Sequence, residues 1–184
     1  TLFRSTVTQG KITIGDKGMN ASTNYAALLA DAIAINGTVT AANAAIGAGN
    51  FTYNNQTGEM NSLGKTATVM QMIFPEYSID ISNLGGIKAN SISMVGNTLG
   101  LGVRNKGTIT ANAALAMTSY GSLVNEGSIN TNGLMAKMAS LGDMKNTGTI
   151  NSTAYVTQLS SVGTLTNEGT IASSKQIAIS ATGD

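Results

Sequence analysis

An acid–base site in this chain would have to be drawn from nine carboxylates: Asp16, Asp31, Asp80, Asp143, Asp184, Glu59, Glu76, Glu126 and Glu168. Histidine and cysteine are absent, which removes the usual proton shuttle, the thiolate nucleophile and the soft metal ligands. One pair of carboxylates has regular spacing. Glu126 and Glu168 each stand between an asparagine and a glycine, in "NEGSIN" and "NEGTIA", with Thr147 at the same place in the intervening phrase. On strands stacked roughly 4.8 Å apart, residues two layers apart would imitate a widely spaced carboxylate pair of a polysaccharide lyase or hydrolase. No third partner accompanies them, so they read as solvated corner residues. Asp80 in "IDIS" and Asp16 in "GDKG" read as turn caps, and no Asp-rich loop announces calcium. Arg104, one of two arginines, reads as an outward charge that discourages sheet association. The nine methionines read as core filler, and the five tyrosines are too dispersed to form a sugar platform. The expectation is no catalytic, cofactor-binding or metal site, and no enzyme.

The elements that hold these residues are set by a repeat. "NKGTIT" at Asn105, "NEGSIN" at Asn125, "NTGTIN" at Asn146 and "NEGTIA" at Asn167 follow one another at intervals of about 20 residues. With Ile109, Ile129, Ile150 and Ile171 aligned, Val103, Leu123, Met144 and Leu165 fall six residues earlier. Leu115, Met135, Val156 and Ile177 fall six residues later. A unit this short has no room for two helices, and alternation such as Ile12-Thr13-Ile14 is that of strands. The reading is all-β: a right-handed parallel β-helix of about three short strands per coil, the hand following from the crossover rule. The three apolar columns become its core ladders. Gly107, Gly127, Gly148 and Gly169 are expected to turn the corners in left-handed or bulged conformations. Asn105, Asn125, Asn146 and Asn167 are expected to bond backbone at the corner and one another between coils. Eight and nine residues after each isoleucine the inward position shifts, which implies a bulge.

Composition agrees with many bends around a small aliphatic core: 42% hydrophobic, 4% aromatic, 10% charged, with 22 glycines. Net charge is +1 with the basic residues scattered, so nucleic acid is not an expected partner. The longest apolar run, Tyr25–Ile35, is too short to span a bilayer and contains Asp31, so no membrane insertion is expected. Its alanines and leucines favour helix by propensity. The alternation of Ile33 and Ile35 before the Asn36-Gly37 turn argues for strand. The chain opens without methionine or a signal pattern and reads as a piece of something longer.

From 54 to 74 the rhythm breaks. "NNQTGEMNSLGK" reads as a projecting hairpin and "TATVMQMIF" as a strand, with Pro75 in the loop that re-enters the helix. The stretch that follows, "FPEYSIDISNLGGIKANSISMVGNTLGLGVRNKGTITA", resembles the end of the secretion domain of filamentous-haemagglutinin-like exoproteins of two-partner secretion. Its Pro75, "IDIS", "LGGIKAN" and "GLGVRNKG" carry the resemblance, as do "GKITIGDKGMNAS" and "LLADAIAINGTVTA" earlier. The resemblance implies residues 1–99 as the later secretion domain and 100–184 as haemagglutinin-type repeats forming a shaft. It also implies export through an outer-membrane barrel transporter to the cell surface, and display of an adhesive or growth-inhibiting tip. A target-cell receptor would be met by regions outside this chain. The reading from a different class is a β-helical carbohydrate-active enzyme, which would need a groove lined by three convergent charged groups.

Overall fold

Short alternating segments separated by glycine bends can satisfy their backbone groups only by pairing with the next turn of chain. In the computed structural model, which describes residues 4–7, 9–54, 56–57, 59–68 and 77–183, every regular element is a strand. One wall stacks β2 (Lys11–Ile14), β4 (Ala32–Ile35), β9 (Ile79–Ile81), β12 (Val103–Asn105), β14 (Leu123–Asn125), β17 (Met144–Asn146) and β20 (Leu165–Asn167), all parallel. The remaining walls begin as long bent strands: β3 (Met19–Ala30), β5 (Thr38–Ala48), β10 (Gly86–Gly96) and β13 (Thr108–Ser119). Irregularities between Ala21 and Tyr25 and between Ala89 and Ser91 mark the bend. Beyond β13 the bend separates each long strand into two. These are β15 (Ser128–Thr131) with β16 (Met135–Ser140), β18 (Thr149–Ser152) with β19 (Val156–Ser161), and β21 (Thr170–Ser173) with β22 (Gln176–Ala181). The architecture is a parallel β-solenoid, and the Tyr25–Ile35 run is strand, interrupted at Asp31.

Two of the apolar columns lie in register inside it. Val103, Leu123, Met144 and Leu165 are paired rung to rung, as are Ile109, Ile129, Ile150 and Ile171. All are buried except Leu165 and Ile171 on the last coil, which are half-buried. The third column is not a ladder. Leu115 is buried, but its partners on the next rungs are Ala136, Thr157 and Ile177. Met135 and Val156 pair instead with Ala114 and Gln176, and Met135 is 46% exposed. The cause is one extra residue at the bend of the two middle coils, where Gly133 takes φ +85°. A one-residue insertion reverses which side chains point inward. Ala136, Met138, Thr157 and Leu159 fill the core there in place of Met135 and Val156. Ile177 is in register but 43% exposed, because β22 pairs on one side only.

The corner glycines have ordinary backbone angles; none of Gly107, Gly127, Gly148 and Gly169 has positive φ. Their necessity is spatial. A Cβ on Gly127 would collide with the carbonyl oxygen of Gly107, one on Gly148 with that of Gly127, and one on Gly169 with that of Gly148. The coils touch backbone to backbone at this corner, and glycine is the residue that admits such an approach.

Between β5 and β9 the chain leaves the shaft. Ile33 on β4 pairs directly with Ile79 on β9, so the intervening excursion is left out of that wall. Within it β6 (Phe51–Asn54) pairs antiparallel with β7 (Met60–Ser62) and with β1 (Arg4–Val7). The hairpin therefore starts earlier than the sequence indicated, and it lies on the shaft rather than projecting. Phe51 and Met60 sit against Gly47 and Leu29 of the long strands, and Phe51 is 1% exposed. The Tyr25 phenol, pushed up to about 12 by burial and by its hydrogen bond to Tyr53, lies on the same seam. Asn97 fastens the hairpin: its Oδ1 accepts from Asn50 N at 2.9 Å, and its Nδ2 donates to the Asn50 carbonyl and to Ser62 Oγ. After it, β8 (Lys65–Thr66) pairs with β11 (Thr98–Leu99). Pro75 and most of the strand read into "TATVMQMIF" lie outside the described residues.

Substitutions in the core and at the corner test this account. Ile150→Asp places a lone charge between Ile129 and Ile171 and is expected to cost about 4 kcal/mol or more in a denaturant melt. Gly127→Asn is expected to destabilise as much as Gly127→Ala, by about 2 kcal/mol or more, with Ser128→Val close to neutral. A well-tolerated Asn, which accepts left-handed backbone, would show that conformation and not space fixes the glycine.

Candidate functional site

Alternate residues of the first wall face outward, so Ala34, Asp80, Arg104, Val124, Lys145 and Thr166 form a row along the outside of the solenoid. Asp80 and Arg104 are direct neighbours on adjacent rungs. Arg104 Nε donates to Asp80 Oδ1 at 2.9 Å and Nη2 to Oδ2 at 2.8 Å, the two-point geometry of a guanidinium on a carboxylate. The Tyr77 ring lies 4.4 Å from the guanidinium carbon, within cation–π range. The hydrogen bonds that Arg104 donates to Asp80 raise its pKa above the ordinary value. Arg104 is therefore not a free outward charge, and Asp80 does not cap a turn: parallel pairing puts the two side chains opposite each other. With both groups partly solvated, the pair contributes about 1 kcal/mol.

The pair stands as a ridge between two open depressions. One, of about 260 Å³, is lined by Lys11, Ala32, Ala34, Tyr77, Asp80 and Arg104. The other, of about 440 Å³, adds Ser82, Asn83, Leu84 and Lys106, with Leu84 82% exposed. The first depression does bring three charged groups together, Lys11, Asp80 and Arg104. Two of them are already bonded to each other, and among the described residues no second carboxylate joins them.

The carboxylate pair marked by the repeat does not form a site. Glu126 is bound to Lys106 at 3.3 Å and Glu168 to Lys145 at 3.1 Å. Asp31 is paired with Lys65, and Asp143 Oδ1 accepts from Thr164 N at 2.9 Å. Asp16 Oδ1 accepts from the next residue's amide at 3.0 Å, in keeping with a turn. Among the described residues no three acidic side chains converge as metal ligands would.

The asparagines make the longest side-chain network. Asn105 Nδ2 donates to Asn125 Oδ1 at 2.8 Å, Asn125 Nδ2 to Asn146 Oδ1 at 2.7 Å, and Asn146 Nδ2 to Asn167 Oδ1 at 2.7 Å. Each amide also reaches the carbonyl of the glycine two residues on, at 3.2–3.3 Å. Asn105, Asn125 and Asn146 are buried; Asn167, on the last coil, is exposed. The ladder has a polarity, and Asn105 Oδ1 at its start has no donor. The residue facing Asn105 on the preceding rung is Ile81, which has none to offer.

The Asp80–Arg104 pairing was hidden in the sequence, since the two lie in phrases that do not align by identity. The available signal was positional: each is the middle residue of a wall triplet, Ile-Asp-Ile and Val-Arg-Asn.

Residues 1–133 match the family model of the TPS secretion domain. The chain belongs to this family of two-partner secretion domains. It is 31% identical over 127 residues to Toxin CdiA of Yersinia pestis, covering 68% of this chain and 4% of that protein. It is 35% identical over 126 residues to tRNA nuclease CdiA-2 of Burkholderia pseudomallei strain 1026b, covering 67% of this chain and 4% of that protein. The chain thus spans a small share of the length of these relatives. The crystal structure of the filamentous hemagglutinin secretion domain superposes with a TM-score of 0.60 at 23% identity, over 97% of this chain and 55% of that one. That likeness is one of fold. As a secretion-domain segment of a two-partner secretion exoprotein, the chain is part of an exported, surface-displayed protein.

The amide ladder makes a graded prediction. Asn125→Ala orphans a buried donor on one side and a buried acceptor on the other, for an expected loss of about 2–4 kcal/mol. Asn167→Ala, at the solvated end, is expected to cost under about 1 kcal/mol. Equal melting temperatures for the two variants would show that the ladder contributes nothing cooperative.

Proposed function

We propose that this segment is non-enzymatic: a secretion-domain portion, 1–99, continued by a structural shaft, 100–184, in an exoprotein whose distal tip adheres to or inhibits another cell. The observation that carries the proposal is continuity. The wall β4–β9–β12–β14–β17–β20 runs without a break in register past residue 133, where the secretion-domain match ends within the repeats. Such a ladder is an efficient spacer, adding roughly 4.8 Å of length per coil. A secretion domain implies an outer-membrane barrel transporter as the export partner. Receptors would be met elsewhere in the protein, and neither nucleic acid nor a bilayer is a partner of these coils. The nuclease activity in a relative's name concerns a protein of which 96% lies outside the match, since 4% is covered.

One observation favours a carbohydrate-active enzyme, the three charged groups around the Tyr77 depression. Against it stand the mutual neutralisation of Asp80 and Arg104 and, among the described residues, the lack of any further acid in its lining.

Deleting Gly121–Val162 distinguishes the readings. It removes two coils, joins Tyr120 to Gly163 and leaves Leu115 and Ile177 the same distance after their aligned isoleucines. The shaft shortens by roughly 10 Å. The expected result is an intact parent protein that is still secreted, still gives a β-type circular dichroism spectrum and keeps its adhesive or inhibitory activity. A folded, secreted and inactive deletion would mean that these coils carry the active surface.

A further inference from the structure

The dipeptide Asn-Gly occurs at Asn36–Gly37 and at Asn132–Gly133, and the solenoid treats the two differently. Gly37 is buried in a corner of the first kind: a Cβ there would meet Gly15 O, Gly18 N and Asp16 O, and Asn36 N is bonded to Ile14 O at 2.8 Å. Gly133 occupies the inserted bend of the middle coils. Both Asn132 and Gly133 are exposed, Gly133 has φ +85°, and a Cβ there would meet the backbone of Ala113. The groups around the Gly133 nitrogen are held in place. Asn132 N donates to Ala111 O at 2.8 Å, Gly133 O accepts from Tyr155 N at 3.0 Å, and Asn132 Oδ1 accepts from Thr153 Oγ1 at 2.6 Å. The last contact polarises the side-chain carbonyl, and therefore its carbon.

We propose that Asn132–Gly133 is a built-in site of spontaneous backbone modification by succinimide formation. The Gly133 nitrogen attacks Cγ of Asn132, forming a C–N bond while the bond from Cγ to the amide nitrogen breaks. The proton lost from the Gly133 nitrogen is balanced by the one the amide gains on leaving, and ammonia is released. Water then opens the five-membered ring at either carbonyl. One opening leaves aspartate; the other leaves isoaspartate, with one more carbon in the main chain. Closing the ring requires rotation about the Asn132 backbone and a side chain free of steric cover. At the inserted corner Asn132 and Gly133 are both exposed, whereas at the other dipeptide Asn36 is exposed and Gly37 is buried. Either product places a carboxylate at the bend that sets the register of β16 and β19, and isoaspartate also lengthens that bend. The surface near Leu134, Met135 and Tyr155 would thereby acquire a charge with time after folding.

Peptide mapping by tandem mass spectrometry tests this on the whole chain, incubated in mildly alkaline buffer either native or in concentrated urea. In the native protein Asn132 is expected to gain the amide-to-acid mass difference at least about tenfold faster than Asn36, because local exposure and not sequence governs access. In urea the two rates are expected to converge. Asn132→Gln, whose longer side chain disfavours the ring, is expected to abolish the product at that position with native circular dichroism retained. Native rates that are equal at the two dipeptides, or faster at Asn36, would overturn the proposal. Persistence of the tenfold difference in urea would overturn it too, since the cause would then be sequence and not fold.

Discussion

Everything in this molecule hangs on how closely successive coils approach at one corner. There the glycine of each coil rests on the glycine carbonyl of the coil before, with no room for a methyl group at Gly107, Gly127, Gly148 or Gly169. That contact fixes the spacing of the rungs. It lets the flanking wall strands and the isoleucine strands form unbroken parallel ladders on either side. It also brings each asparagine amide to within 2.7–2.8 Å of the next. A buried amide without partners costs about 1–3 kcal/mol, so ladder and close approach depend on each other. The corner is polar in composition and core-like in packing.

The other walls have more freedom. The bend opposite the glycine corner accepts one extra residue in two coils and none in the coil before or after. The inward role then passes from Leu115 to Ala136 and Thr157 without disturbing the rungs. The same tolerance lets the chain leave the shaft after β5 and return at β9. The hairpin made on the way lies against Gly47, a position small enough to receive Phe51 and Met60. Variation is thus concentrated away from the corner that sets the spacing, as expected where loops and bends carry insertions and ladders carry the fold.

Charge follows the same division. The wall facing away from the bend carries the cross-coil pairs Asp80–Arg104, Lys106–Glu126 and Lys145–Glu168. Each links one coil to a neighbour. Partly exposed pairs of this kind contribute little individually. Their arrangement along one wall gives the solenoid a solvated side whose charges are matched in pairs.

The sequence by itself determined the fold class, the parallel stacking, two of the core columns and the asparagine ladder. Those features recur with the rung spacing, and a recurrence of side-chain type at fixed interval is visible in one dimension. The tertiary structure decided the rest. Why Gly127 must be glycine follows from the position of the Gly107 carbonyl in another coil, and nothing in the local phrase separates that from a demand for positive φ. Which of Met135 and Ala136 points inward follows from a single inserted residue at Gly133, a change too small to break the apparent alignment yet enough to reverse the side chains of the strand that follows it. The partnership of Arg104 with Asp80, and the resting place of the hairpin beside Gly47, required knowing which distant segments lie on adjacent rungs. Those contacts are set by stacking, and stacking is decided by the whole coil.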